Sequence, residues 1–117
     1  CPDALAISVG NVHLQTSADT VIDKVALAAI EEVVDCPLVL HGASGIKAAD
    51  RGWLASNSKV CKFNVGTELR KAFGTSLRNV LDSDAHLFDR NQILSAVKPA
   101  LIEQTKKVLK SIDPRKA

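Results

Sequence analysis

The stretch Pro37-Leu38-Val39-Leu40-His41-Gly42-Ala43-Ser44-Gly45-Ile46 decides the fold. Its first four residues form an apolar run that is typical of a short strand buried on both faces. The residues that follow, His41 to Gly45, place an imidazole, a hydroxyl and unobstructed backbone N–H groups at the end of that strand. The imidazole can hold a metal, and the loop can hold an oxyanion or a phosphate.

Two further apolar runs flank this stretch, and each also ends in small or polar residues. Residues 3–9 predict a strand that leads into Gly10-Asn11-Val12-His13, and residues 60–65 predict a strand whose tip is Gly66-Thr67. A helix is predicted after each strand, and a further helical segment closes the chain. The predicted helical segments are Ile22 to Val33 behind a capping-box spacing at Thr20–Asp23, Lys47 to Ser56, Thr67 to Leu81, and Asn91 to Ile112 with a break near Pro99.

The order strand, tip, helix therefore occurs three times. Alternating strands and helices indicate an α/β fold with a parallel sheet and right-handed crossovers. All three polar tips then lie at the carboxyl ends of the strands, where α/β folds build their binding sites. We expect the functional residues at that edge.

The composition limits the partners. At 117 residues the chain fits one domain at most, and 46% hydrophobic with 24% charged residues is ordinary for a globular domain. The net charge of +2 includes no block of like charge, and only 3% of the residues are aromatic. Nucleic acid and anionic membranes are therefore not expected as main partners.

The cysteines and the start of the chain suggest a cellular compartment for the protein. Cys1, Cys36 and Cys61 show no CxxC spacing, and their odd number suggests reduced thiols in an intracellular protein. No run approaches the roughly 18 apolar residues of a membrane helix, and no signal peptide opens the chain, so the cytoplasm is expected. Because the chain opens on Cys1-Pro2-Asp3 and contains no Met, we also expect it to be a fragment of a longer polypeptide.

His13 and His41 occupy equivalent positions just beyond two strands. Neutral imidazoles from neighbouring strand tips can converge on one Zn²⁺, although a histidine at a strand end can equally be a hydrogen-bonded structural residue. The segments 42–45 and 64–67 could each offer backbone N–H groups and a hydroxyl to a phosphate, or they could be ordinary turns. No third ligand stands out, since His86 lies in a polar loop and should be exposed.

A family resemblance adds to these patterns. The segments 3–6, 10–13, 38–46 and 62–70 together resemble the class II fructose- and tagatose-bisphosphate aldolases, which are zinc-dependent ketose-bisphosphate aldolases on a TIM barrel. The resemblance covers essentially all of residues 1–117, with the motifs in order. It implies an α/β fold that is the C-terminal part of a single TIM-barrel domain, about the last three of its eight βα units, with extra C-terminal helices.

The resemblance also implies roles for individual residues. His13 and His41 match two of the three zinc ligands, and the C3–C4 bond of a ketose bisphosphate would be cleaved by Lewis-acid catalysis to give dihydroxyacetone phosphate and an aldehyde. The expected substrate-binding residues are Leu14, Gly42, Ala43, Ser44, Asn64, Val65, Gly66 and Thr67. The implied partners are a small sugar phosphate, the N-terminal part of the barrel or a second chain, and further copies in a homo-oligomer.

Two departures from the family pattern limit the expected activity. Leu14 stands where the family has Gly, whose backbone helps to bind substrate and a monovalent cation, so cation binding is put in question. The family's catalytic Asp, its third zinc histidine and its mobile-loop Glu have no counterpart in these residues, so no catalytic acid or base is assigned here. The alternatives are a non-catalytic half-barrel, acting as a fragment or an assembly module, and a metal-free phosphate binder.

Overall fold

The computed structural model describes residues 2–12, 14, 17–113 and 115. Three strands and four helices alternate along the chain as the sequence predicts. A single 3₁₀ turn, Ala43–Gly45, follows the second strand. The elements are β1 (Leu5–Ile7), α1 (Lys24–Val33), β2 (Leu38–Leu40), α2 (Ala48–Asn57), β3 (Val60–Phe63), α3 (Thr67–Ser83) and α4 (Arg90–Ser111).

The strands form one parallel sheet in the order β1-β2-β3, which confirms the predicted α/β fold. Leu5 of β1 lies opposite Leu38 of β2, and Leu40 of β2 lies opposite Phe63 of β3. The central strand β2 is buried along its whole length. This burial explains why its sequence is a continuous apolar run and does not alternate between apolar and polar residues.

The core lies between the sheet, α1 and α2. Leu27 of α1 and Leu54 of α2 are essentially inaccessible and pack with the buried residues of the sheet. The long helix α3 has no buried residue in the described part of the chain and packs mainly along α4. The core cluster consists of Val9, Ile22, Leu27, Leu38, Leu40, Ala43, Ile46, Leu54 and Val60.

Two details of the helices differ from the sequence prediction. Helix α1 begins at Lys24, because Asp23 is its N-cap and accepts hydrogen bonds from the N–H groups of Val25 and Ala26 at 3.0 and 2.9 Å. Thr20, which was expected to cap the helix, instead forms an isolated parallel bridge with Ile46. This bridge holds the chain before α1 close to the end of β2.

The expected break at Pro99 is also absent, so there is one C-terminal helix instead of two. Helix α4 runs through Pro99. Proline removes one backbone donor and usually bends a helix. Burial of Val97 before it and of Val108 after it keeps both halves of α4 against the rest of the protein. None of the described helices is long and apolar enough to cross a membrane.

Candidate active site

The carboxyl ends of the three strands meet at one edge of the sheet, and Asn11 joins the first two ends. Its Nδ2 donates to the carbonyl oxygens of Ile7 at 3.2 Å and of His41 at 3.0 Å, and its Oδ1 accepts from the N–H of Val9 at 2.7 Å. One side chain therefore fixes the backbone of His41 relative to the end of β1. The sequence did not single out Asn11; its only signal was a polar residue between Gly10 and His13 at a strand end.

His41 lies where β2 ends, and its ring is held against Asn64, which follows β3. The Nδ2 of Asn64 is 3.1 Å from Nδ1 and 3.0 Å from Nε2 of the imidazole. One atom cannot lie in the ring plane in line with both ring nitrogens, because the outward directions of the two nitrogens diverge. The amide therefore packs against the imidazole and limits where the ring can lie.

The turn after His41 is made by Gly42, whose φ of 63° and ψ of 23° lie in the left-handed region. Glycine reaches this region without the steric cost of a Cβ atom. The chain then enters the 3₁₀ turn, in which Ala43 donates its N–H to the carbonyl of Asn64 at 3.2 Å. The loop after β2 is thus tied to the loop after β3.

Ser44 provides a second connection between these two loops. Its Oγ lies 3.3 Å from the N–H groups of both Gly66 and Glu68, at the beginning of α3. A hydroxyl that accepts two hydrogen bonds still has its own proton to donate. Ser44 therefore caps the first turn of α3 and can also donate to an anion at this position.

A cavity of about 400 Å³ opens between these loops. Eight of the predicted site residues lie in the described part of the chain and line this cavity. Ala43 does not line it, because its side chain is fully buried in the core. His13, the other predicted zinc ligand, lies outside the described residues. The lining residues are Leu14, His41, Gly42, Ser44, Phe63, Asn64, Val65, Gly66, Thr67 and Arg70.

Leu14 has a backbone conformation that suits glycine. Its φ is 61°, and it is the one described non-glycine residue with a positive φ. Its side chain is 75% exposed at the cavity. The resemblance to the aldolases implies glycine here, and a left-handed backbone is a physical reason for that preference.

Phe63 and Arg70 line the cavity although the sequence did not assign them to the site. The guanidinium of Arg70 lies over Gly66, where an added Cβ would be 3.1 Å from its Nη2. No Asp or Glu is among the lining residues in the described part of the chain. A guanidinium beside a helix N-terminus favours an anionic ligand. The sequence feature that could have indicated Arg70 is its spacing, since it lies one helical turn after Gly66.

The described residues place one candidate metal ligand, His41, at the cavity. In residues 2–12, 14, 17–113 and 115, no group of three or more His, Cys, Asp or Glu side chains comes together. His41 nevertheless presents an imidazole at the cavity, which is the donor type that Zn²⁺ prefers. The described part of the site therefore offers one side chain of the type that binds zinc. His86 lies in the exposed loop before α4, as expected.

Comparisons with known proteins agree with this geometry. The family model of fructose-bisphosphate aldolase class-II matches residues 2–115. Among solved structures, the chain is similar to the YdjI aldolase from Escherichia coli K12, with 26% sequence identity and a TM-score of 0.64. The match covers 92% of this chain and 37% of that protein, so the chain spans little more than a third of its length. This chain belongs to the class II fructose-bisphosphate aldolase family.

Proposed function

We propose that this chain supplies part of the active site of a zinc-dependent aldolase that cleaves a ketose bisphosphate into dihydroxyacetone phosphate and an aldehyde. One observation carries the proposal: His41 lies beside Ser44, Asn64 and Thr67 around one cavity that has a guanidinium and no lining carboxylate among the described residues. A metal ligand and an anion-binding loop adjoin there. These are two of the elements that a zinc-dependent sugar phosphate aldolase requires.

In this proposal His13 and His41 hold zinc. When bound, zinc supplies a Lewis acid for the ketone oxygen of the substrate. Ser44 and Thr67 donate their hydroxyl protons to the substrate phosphate, and Arg70 balances its charge. Asn64 packs on His41 and reaches the same cavity, so its amide is in place to orient the reacting part of the substrate.

We further propose that the site is completed by another part of the barrel, in the same polypeptide or in a second chain. Within the described residues, β1 and β3 each pair on one side only. Several large apolar side chains around β1 and α1 are exposed, and surfaces of this kind usually pack against another element. They are Leu5, Val12, Val21, Val25 and Val33.

The test uses the complete natural polypeptide and measures release of dihydroxyacetone phosphate from fructose and tagatose bisphosphates. We expect His41→Ala to lower both the zinc content and the rate by at least about tenfold. His86→Ala is the matched control, since that histidine lies in an exposed loop away from the cavity.

Two results would contradict the proposal. Activity that survives complete removal of metal by a chelator would exclude the zinc mechanism. Unchanged zinc content in His41→Ala would refute the ligand assignment. If the complete polypeptide binds phosphate but cleaves neither substrate, the alternative of a non-catalytic binding or assembly module is favoured.

A further inference from the structure

A largely buried network of one ion pair and one hydrogen bond joins three helices beside the cavity. Arg51 of α2 donates from Nη1 to Oε1 of Glu68 in α3 at 2.8 Å, and Gln104 of α4 donates to Oε2 of the same carboxylate at 3.1 Å. The side chains of Arg51 and Glu68 are only 6% and 22% exposed. None of the three residues lines the cavity that contains His41.

Glu68 connects this network to the cavity through its own backbone. It is the second residue of α3, and its N–H donates to the Oγ of Ser44. The residue before it is Thr67, which lines the cavity. A carboxylate that is held from two sides therefore restrains the helical turn that carries both Gly66 and Thr67.

Apolar side chains at these positions could stabilise the protein as well as this network does. The whole Arg51 residue, backbone included, is 5% exposed. The Nε of its side chain is a buried donor without a hydrogen-bond partner in the described part of the protein. Well-packed apolar residues often stabilise a protein as much as a buried ion pair does. Hydrogen bonds to a fixed carboxylate differ from apolar packing in that they define an orientation.

We propose that Arg51, Glu68 and Gln104 are positioning residues, which hold the first turn of α3 against the Ser44 loop so that the hydroxyls of Ser44 and Thr67 face the same phosphate group. The identity of that phosphate as part of a substrate rests on the proposed function. The restraint on α3 itself does not, so the two can be tested separately.

The experiment compares the wild type with Arg51→Met, which keeps an unbranched apolar side chain but removes the guanidinium with its charge and its hydrogen bond to Glu68. In the complete polypeptide we expect faster amide hydrogen exchange at Gly66 and Glu68. The exchange at Asn64, whose N–H donates to Leu40 in the sheet, should not change. The dissociation constant of inorganic phosphate and the KM for substrate should rise about tenfold, with a smaller change in kcat.

Two further variants make the result specific. Arg51→Lys retains the charge and should recover part of the phosphate affinity. Lys106→Met breaks the Lys106–Glu103 pair on α4, whose side chains are 58% and 64% exposed, and it should change neither exchange nor affinity. If Arg51→Met does not fold, Gln104→Leu removes only one hydrogen bond of the network and is judged by the same measurements.

The outcomes distinguish the two proposals. If the variant lowers the melting temperature but leaves the exchange at Gly66 and Glu68 and the phosphate affinity unchanged, the network is only structural and this inference is overturned. If exchange accelerates and phosphate binding weakens in a protein that cleaves no ketose bisphosphate, the positioning role stands and the proposed function fails.

Discussion

Gly10, which lies after β1 and directly before Asn11, should not tolerate a side chain. Its φ is 100°, a conformation that L-residues rarely adopt. A Cβ atom on Gly10 would overlap the backbone carbonyl oxygen of Val21. That carbonyl cannot easily move, because Asp23, two residues further along the chain, donates its N–H to the carbonyl of Val9 at 2.9 Å. Gly10→Ala therefore combines backbone strain with a steric clash.

The expected loss of stability can be worked out from these two effects. An unfavourable positive φ costs an L-residue about 1–2 kcal/mol. Forcing a methyl group into an occupied backbone contact costs about 1–3 kcal/mol, depending on how far the surroundings relax. We therefore expect Gly10→Ala to lower the free energy of unfolding by about 3 kcal/mol, which is a large part of the stability of a typical domain.

Gly74→Ala is a matched control in the same protein. Gly74 lies inside α3, and a Cβ there would meet only the Nη1 of Arg78 at 3.5 Å, which is an ordinary contact. Because alanine is a better helix former than glycine, this change should stabilise the protein by about 0.5–1 kcal/mol. Urea denaturation of the complete polypeptide, monitored by circular dichroism, measures both changes.

The two variants should thus differ by about 4 kcal/mol with opposite signs. A loss of less than about 1 kcal/mol in Gly10→Ala would show that the backbone here relaxes freely, contrary to the contact with Val21. Equal losses in both variants would show that the close approach at Gly10 does not determine the effect.

Two smaller changes test the loops around the cavity. Ser44→Ala should lower the free energy of unfolding by about 1–2 kcal/mol, since it leaves the N–H groups of Gly66 and Glu68 without their acceptor. The control is Ser83→Ala, which changes an exposed serine at the other end of α3. An equal loss of stability in the control would contradict the capping role of Ser44. Leu14→Gly should raise the free energy of unfolding by up to about 1 kcal/mol, because the φ of 61° favours glycine and the leucine side chain is mostly exposed. A loss of stability in urea denaturation would argue against strain at that residue.

The sequence determined the elements of this protein and their order. The run from Leu38 to Leu40 has the composition of a strand buried on both faces, and β2 is buried along its whole length. Apolar residues at helical spacing predicted α1 and α3. These patterns are local, since burial of one strand or one helix face imposes its own periodicity on the residues. That the sheet belongs to a TIM barrel remains a prediction.

The tertiary structure decided the details that depend on distant residues. Thr20 is not the N-cap of α1, because the helix begins at Lys24 and Asp23 occupies that position. Thr20 forms a parallel bridge with the distant Ile46, about which a local capping pattern carries no information. The sequence also placed His41, Ser44 and Asn64 at one edge of the sheet, and all three line one cavity. It could not indicate that Ala43 is turned into the core.

The residues that hold the site together were not visible in the sequence. Asn11 reaches His41 across 30 positions, and Glu68 meets Arg51 and Gln104 across 17 and 36 positions. Such contacts require no periodicity and no particular spacing, because they arise only when packing of the helices on the sheet brings the side chains together. The sequence by itself therefore determined which strand ends would carry the chemistry. Only the tertiary structure decided which side chains hold those ends in place.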